Sequence, residues 1–406
     1  MKKLELEEII LAIEQEINHN LHVFSDSSIE YGRMGGAIFY YYAFDYFKND
    51  SFFSKGEFLI EKSIDYISNQ IFNNPSLKYK GDSVGFMLSS FGKGLLFIQN
   101  NFEFRYDFSS YCMELNEVLY DITKQTINKK DHDYFCGTFS TGYYFLNHYK
   151  YNKDEFSKSI LNLIVKAVIK DKIILNEEEV YWNSPTFNNS VYLGLSHGAA
   201  MIINFLSKVI EFNIYVGDKK ELEDVLFKAI TFLIRRERNY LDGYFPHTFI
   251  QDEKASITQL SMCYGDLGVL YAISNALRLL EIENFDERIN ELLISTSKRR
   301  LNKNYTQDSS ILYGCSGLYY LYKDLYNRTN NEIYLESYLY WFECIFKFRD
   351  SQKKNLAGFQ FEYEKFNEAD KSATFSFYWG IGGIGITLMK EGLATLPDLN
   401  ELLLIG

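Results

Sequence analysis

Apolar and polar positions follow the period of an α-helix over most of this chain. Residues 4–18 carry Leu4, Ile9, Ile10, Ile13 and Ile17 on one side, which is the spacing of an amphipathic helix. The same three- and four-residue spacing recurs in later segments. It predicts helices at 58–73, 106–127, 153–172, 219–238, 286–301 and 331–350.

Between these segments, glycines repeatedly come just before a short apolar run. A tight turn into a helix often leaves no room for a Cβ, so we interpret each glycine group as a helix start. The starts recur about every 60 residues, which is enough for one helix pair with its loops. The seven groups lie within 32–36, 92–94, 137–142, 194–198, 265–268, 314–317 and 380–383.

The seventh apolar run is as hydrophobic as those in the middle of the chain. An open solenoid needs a polar capping repeat at its end, whereas a closed ring does not. We therefore predict an all-α fold, an α/α toroid of seven helix-pair repeats that forms a single domain over residues 1–406. Two segments rich in Asn, Asp and Pro, 173–190 and 239–256, are predicted to be long loops over the rim.

Composition narrows the possible classes of function. The chain has 406 residues with a formal charge of −12, and it has no dense basic tract of the kind that binds nucleic acid. No apolar run approaches the roughly 20 residues of a membrane span. Five scattered cysteines do not suggest a disulfide framework. Acidic residues near the start replace the apolar segment of a signal peptide, so we expect a cytoplasmic protein.

The segment 262–268 is the most promising place for chemistry. Cys263 lies just before a predicted helix start, where a thiolate is favoured, and it is a candidate metal ligand or nucleophile. The alternative is a buried, small apolar residue. His197 at the fourth start is a candidate acid, base or metal ligand, with a structural histidine as the alternative. Asp133 before the third start is either catalytic or, by default, a helix cap or a solvated carboxylate. Asp266 most simply caps its own helix.

These motifs resemble the lanthionine synthetase C family. The resemblance covers the whole chain in repeat number and spacing, and its most specific parts are Cys-Tyr-Gly-Asp-Leu-Gly at 263–268 and Gly-Leu-Ser-His-Gly at 194–198. It implies an α/α toroid. Active members hold one zinc ion with two cysteines and one histidine, and they add a peptide cysteine thiol to a dehydrated serine or threonine, forming a thioether ring.

Carried over by position, the resemblance makes His197, Asp133 and Tyr264 the catalytic residues and Cys263 the first zinc ligand. The family often has arginine four residues before this cysteine and tryptophan one before it, where this chain has Gln259 and Met262. With Asp266, these two residues are the predicted substrate-binding set.

The sixth repeat departs from the family pattern, which has Cys-His-Gly there. Aligning the glycines puts Leu312 and Tyr313 at the places of the second and third ligands, whereas aligning the cysteines puts Cys315 and Ser316 there. Either way the histidine ligand is absent. We therefore expect a remodelled or absent zinc site, with Cys263 and Cys315 as candidate ligands. His197 or His247 is a conceivable third, although none is identified.

The resemblance favours an enzyme, a cyclase that forms thioether rings in a dehydrated precursor peptide beside a lanthipeptide dehydratase. Zinc-free cyclases exist in the broader family, so lost ligands do not exclude this activity. One alternative is an inactive scaffold that binds the peptide or a partner enzyme. A glycosidase would need two facing carboxylates, and Asp133 and Asp266 are the only candidates on the rim.

Overall fold

The computed structural model describes residues 3–24, 26–72, 84–106, 108–238, 243–249, 259–282, 285–302, 306, 308–361 and 371–406. Fifteen α-helices account for most of these residues. They are α1 (Lys3–His19), α2 (Arg33–Phe47), α3 (Asp50–Tyr66), α4 (Val84–Asn101), α5 (Ser109–Asn128), α6 (Thr138–Asn152), α7 (Glu155–Asp171), α8 (Ala199–Glu211), α9 (Lys219–Ile234), α10 (Asp266–Leu280), α11 (Asp286–Ser297), α12 (Cys315–Thr329), α13 (Glu332–Ile345), α14 (Lys371–Phe375) and α15 (Ile381–Gly392).

The helices form two layers with different helix starts. Inner helices follow the glycine groups and are buried nearly all round, as in the unbroken buried run 34–43 of α2. Several outer helices begin at an Asn or Asp whose side chain accepts a backbone N–H of the first turn, the usual N-cap. These caps are Asn49, Asp154, Asp218 and Asn331. The predicted inner and outer helices are thereby confirmed, although α3 begins eight residues before the predicted position 58 and α4 begins eight residues before Gly92.

The ring closes where the last helix of the chain packs against the first two. Helix α15 packs against both α1 and α2, so closely that a Cβ at Gly385 would lie 2.6 Å from Phe39 Cε2 and 3.2 Å from Ile13 Cγ2. Helix α1 thus serves as the outer partner of the seventh inner helix. The predicted α/α toroid is confirmed.

Backbone hydrogen bonds connect the rim loops of successive repeats across this closure. The N–H of Cys263 donates to Leu312 O (3.2 Å), that of Leu312 to Tyr378 O (3.1 Å), and that of Tyr378 to Glu30 O (3.5 Å). These bonds run from the fifth repeat through the seventh to the first. The loops before the inner helices therefore form one continuous face.

Two details differ from the sequence prediction. Gly92 and Gly94 lie inside α4, not at its start. There they permit close packing, since a Cβ would come within 2.4 Å of Tyr144 and 2.3 Å of Met34 respectively. The predicted loop 173–190 contains an antiparallel hairpin, β1 (Ile173–Asn176) and β2 (Glu179–Tyr181), consistent with the β-branched residues at 173, 174 and 180.

Of the second predicted loop, 239–256, only residues 243–249 are described. Among the helices that the structure describes, none combines the length and apolarity that crossing a bilayer requires.

Candidate active site

The loop that carries Cys263 is shaped by the glycine two residues later. Gly265 has φ of +88°, and a Cβ there would lie 1.8 Å from Gln259 O. Only glycine accommodates both that conformation and that approach. The resulting turn pairs Leu260 with Gly265 and places Cys263 just before α10.

The sulfur of Cys263 lies among hydroxyl groups. It donates to Ser196 Oγ at 2.9 Å, and Tyr313 OH lies 3.7 Å away. The residue is 1% exposed. Burial raises the pKa of the thiol to about 12, with the Asp133 carboxylate acting in the same direction. Cys263 is therefore a neutral thiol near pH 7 in this environment.

His197 and Asp133 form a direct pair at 2.6 Å between Nδ1 and Oδ2. The other carboxylate oxygen of Asp133 accepts the N–H groups of Phe135 (2.7 Å) and Cys136 (2.9 Å). Asp133 is buried, so its sequence-based alternative as a solvated carboxylate does not hold. A carboxylate on Nδ1 keeps a proton on that nitrogen and leaves Nε2 for proton exchange with a substrate.

Tyr264 follows Cys263 in the chain, and its ring lies beside those of two histidines. Its half-buried ring stacks on His247 with centroids 4.7 Å apart and lies 5.9 Å from the His197 ring. It is also 6.3 Å from the Tyr313 ring. Burial raises the pKa of the Tyr264 phenol, which therefore remains a neutral hydrogen-bond donor. The three predicted catalytic residues, His197, Asp133 and Tyr264, are thus together.

Asp266, a predicted substrate-binding residue, has a carboxylate that is fully buried and bonded to protein groups. One oxygen accepts the N–H groups of Tyr244 (2.9 Å) and Phe245 (2.8 Å), and the other pairs with Arg299 Nη1 at 2.5 Å. Burial raises the pKa of Asp266 to about 6, and Arg299 opposes that rise. These contacts tie the segment 243–249 to the start of α10.

The other two predicted substrate-binding residues lie in the Cys263 loop. Met262 is fully buried, beside Gly268 and Gly317. The Gln259 carbonyl accepts Asp266 N–H at 3.4 Å. Its side-chain Oε1 is buried and has no hydrogen-bond partner within the described part of the chain. Gln259 therefore offers a free acceptor, whereas the Met262 side chain packs in the core.

Cys315 begins α12 and is fully buried in different surroundings. Burial raises the pKa of its thiol, with Cys344 and Asp308 adding to the effect. Within the described residues, no disulfide joins Cys315 to Cys263. Beside Cys263, the place of the family's histidine is taken by Tyr313, as the glycine alignment predicts, and Leu312 supplies only its backbone carbonyl. One thiol with two neutral hydroxyl groups does not fit the cysteine–histidine donor set of zinc.

Sequence reasoning did not identify two of the contacting residues. Ser196 adjoins His197 in the fourth rim loop, and Tyr313 was considered only as a lost ligand. Ser196 directly precedes a predicted site residue, and Tyr313 stands at the place of a ligand in the glycine alignment. The alignment of the repeats could therefore have pointed to both. Asp133 and Asp266 bind different partners, His197 and Arg299, and so do not form the paired carboxylates of a glycosidase.

Comparisons with known proteins agree with this architecture. A family model described as lanthionine synthetase C-like protein matches residues 23–393. None of the curated proteins compared with the chain matches it. Among solved structures, nisin cyclase superposes with a TM-score of 0.68 at 16% identity, covering 99% of this chain and 97% of that protein. A cellobiose 2-epimerase from Bacillus thermoamylovorans gives a TM-score of 0.41 at 10% identity, with 87% and 90% covered. With the family match spanning most of its length, the chain belongs to the lanthionine synthetase C-like family.

Proposed function

We propose that this protein is a cyclase that adds a peptide cysteine thiol to a dehydroalanine or dehydrobutyrine of the same peptide, and that it does so without zinc. Family membership supports the class of reaction. The donor set around Cys263 supports the absence of zinc from the mechanism. The substrate is a dehydrated precursor peptide, as it is for the family.

The reaction needs little more than controlled proton transfer. The substrate sulfur loses its proton and forms a bond to the β-carbon, while the electron pair of the C=C double bond moves into an enolate. A proton delivered to the α-carbon completes the addition, and the peptide mass does not change. General acid–base catalysis of this kind contributes roughly 10²- to 10⁴-fold in rate.

The position of the His197–Asp133 pair beside Tyr264 and the Cys263 loop is the observation that carries the proposal. Asp133 is fixed by two backbone N–H groups and in turn fixes the tautomer and direction of the imidazole. His197 then delivers the proton to the α-carbon from Nε2. Tyr264, a neutral donor beside it, hydrogen-bonds the developing enolate oxygen. Cys263 remains a buried thiol that donates to Ser196.

Cyclisation is measured as the loss of alkylatable thiol at constant peptide mass, on peptides with one dehydroalanine and one cysteine. We expect His197→Asn and Asp133→Asn each to slow single-turnover cyclisation about 100-fold or more. A matched control exists away from the rim loops, near the end of α6, where His148 Nδ1 pairs with Asp154, the N-cap of α7, at 2.9 Å. His148→Asn and Asp154→Asn should cyclise at the wild-type rate. Equal rates in all four variants would contradict the assignment.

The departure of the sixth repeat from the family's zinc-ligand pattern also favours a second candidate, an inactive scaffold that binds the dehydrated peptide. Peptide binding by fluorescence anisotropy, without any thiol loss above the uncatalysed rate, would support the scaffold. A dehydratase partner and a cytoplasmic location stay predictions of the family resemblance.

A further inference from the structure

His247 lies on a segment that is anchored on both sides of the site. At one end, the N–H groups of Tyr244 and Phe245 donate to Asp266 at the start of α10. At the other, the His247 carbonyl accepts Leu193 N–H at 3.0 Å, and Phe249 N–H donates to Val191 O at 2.8 Å. The segment is therefore held between the loop that carries Cys263 and the loop that carries His197.

The imidazole of His247 has one ring nitrogen without a partner. The ring stacks on Tyr264, with an interplanar angle of 22°. Its Nε2 is buried and makes no hydrogen bond within the described residues. A buried polar atom left unpaired destabilises a fold, and stacking alone would not require a polar ring. His247 Nε2 is thus an unpaired acceptor beside a site where the proposed reaction has to remove a proton. A role in that reaction would explain why the fold leaves it unpaired.

Among the described residues, few titratable groups lie around this ring. Tyr264 lies on its face, Tyr192 is on the paired segment 191–193, and His197 is across the Tyr264 ring. Burial lowers the pKa of His247, so the imidazole is neutral and able to accept a proton at pH 7.

We propose that His247 is the base that removes the proton from the substrate cysteine thiol. This assignment rests on the proposed cyclase function and supplies, without zinc, the activation of the substrate thiol. The thiol proton moves to His247 Nε2 as the carbon–sulfur bond forms. The α-carbon takes its proton from His197 Nε2. After release of the ring, His247 returns its proton to solvent and His197 regains one, so the protons balance.

The two histidines thus have separate tasks on either side of Tyr264. A base is needed only while the nucleophile carries a proton. A selenol is ionised at neutral pH, so a peptide with selenocysteine in place of cysteine needs the acid but not the base. That difference separates a proton-transfer role of His247 from a structural one.

The test uses His247→Phe, which retains a ring to stack on Tyr264, and His247→Gln, which retains a polar side chain. With the cysteine peptide at pH 7, we expect both to slow single-turnover cyclisation about 100-fold. The rate should then rise with the ionisation of the thiol itself, near pH 8.5, whereas the wild-type rise lies below the usual histidine pKa of about 6.5. With the selenocysteine peptide, both variants should match wild type, and His197→Asn should stay slow.

Each other outcome has a distinct meaning. A variant as fast as wild type on the cysteine peptide, or equally slow on both peptides, overturns the assignment of His247 while the cyclase function stands. A wild-type protein that cyclises neither peptide overturns the proposed function and this assignment with it. Circular dichroism of each variant identifies a folding defect. If His247→Phe does not fold, His247→Gln decides the outcome, and His148→Gln serves as the histidine control.

Discussion

At the scale of single residues, the surroundings of a histidine determine whether it can take part in catalysis. The described chain contains three histidine–aspartate pairs, at His197–Asp133, His148–Asp154 and His132–Asp171. Asp154 also caps α7, and Asp171 is its last residue, so in these two pairs the aspartate belongs to an outer helix. Of the three paired histidines, His197 is the one whose ring lies beside Tyr264. The pair alone therefore indicates nothing about catalysis, whereas its position beside the Cys263 loop does.

Asp266 allows a stability prediction at the same scale. Asp266→Ala removes the partner of Arg299 and leaves the N–H groups of Tyr244 and Phe245 without their acceptor. We expect the free energy of unfolding to fall by about 3 kcal/mol or more, measured by urea denaturation.

The control for this prediction is Asp224→Ala, which breaks an exposed pair with Lys228 and should cost at most about 0.5 kcal/mol. Unchanged stability of Asp266→Ala, with a raised KM for the peptide, would instead support a direct substrate-binding role for Asp266.

At the scale of elements, each layer of helices has its own kind of start. Several outer helices begin at an Asn or Asp cap, as at Asn49 and Asp154. The inner starts use glycine because the preceding loop folds back against the first turn. Gly265 is the extreme case, with its positive φ and its contact to the Gln259 carbonyl.

Gly265→Ala tests that argument. A Cβ at this position meets strain from both the backbone conformation and the Gln259 carbonyl, so we expect a loss of several kcal/mol of stability and a disturbed Cys263 loop. Thermal unfolding and the rate of Cys263 alkylation measure the two effects.

Gly142→Ala is the matched control, since its Cβ would be 3.1 Å or more from the nearest side chains. It should change stability by at most about 1 kcal/mol. Equal effects of the two substitutions would contradict the role given to Gly265.

The fold was predictable from local pattern, and the site only in part. Helix spacing and glycine groups are local signals, so the repeats could be found from the sequence. The helix start predicted at the glycines at 92 and 94 was wrong because close helix packing and a tight turn both favour glycine. Asp133 and His197 are 64 residues apart, and only the family resemblance placed them together. The surroundings of Cys263 depend on contacts between repeats, which no local pattern encodes.

At the scale of the whole molecule, the C-terminal segment, residues 399–405, packs against several inner helices or their loops. Residues 399 and 402–405 are at most 1% exposed. Backbone carbonyls of this segment accept from three inner helices or their loops: Leu402 O from Tyr378 OH (2.7 Å), Leu404 O from Asn204 Nδ2 (3.3 Å) and Glu401 O from Asn147 Nδ2 (3.2 Å). Because one segment contacts distant repeats, the repeats should unfold together.

Leu402→Ala tests this cooperativity. Removing a fully buried leucine costs about 2–5 kcal/mol. Trp182, Trp341 and Trp379 lie in three different repeats. In variants that keep one tryptophan each, we expect Leu402→Ala to lower all three urea midpoints equally, in one transition that coincides with circular dichroism. Leu339→Ala, at an exposed leucine, should leave the midpoints unchanged. Separate transitions would contradict a single-domain ring.

The central claim is that the rim catalyses thiol addition to a dehydrated residue without zinc. Its most direct measurement is single-turnover thiol loss from a peptide with one dehydroalanine and one cysteine, using protein stripped of metal by a chelator. The account predicts cyclisation well above the uncatalysed rate, unchanged when zinc is added back and about 100-fold slower in His197→Asn. Thiol loss no faster than without protein, or loss that requires stoichiometric zinc, would contradict it.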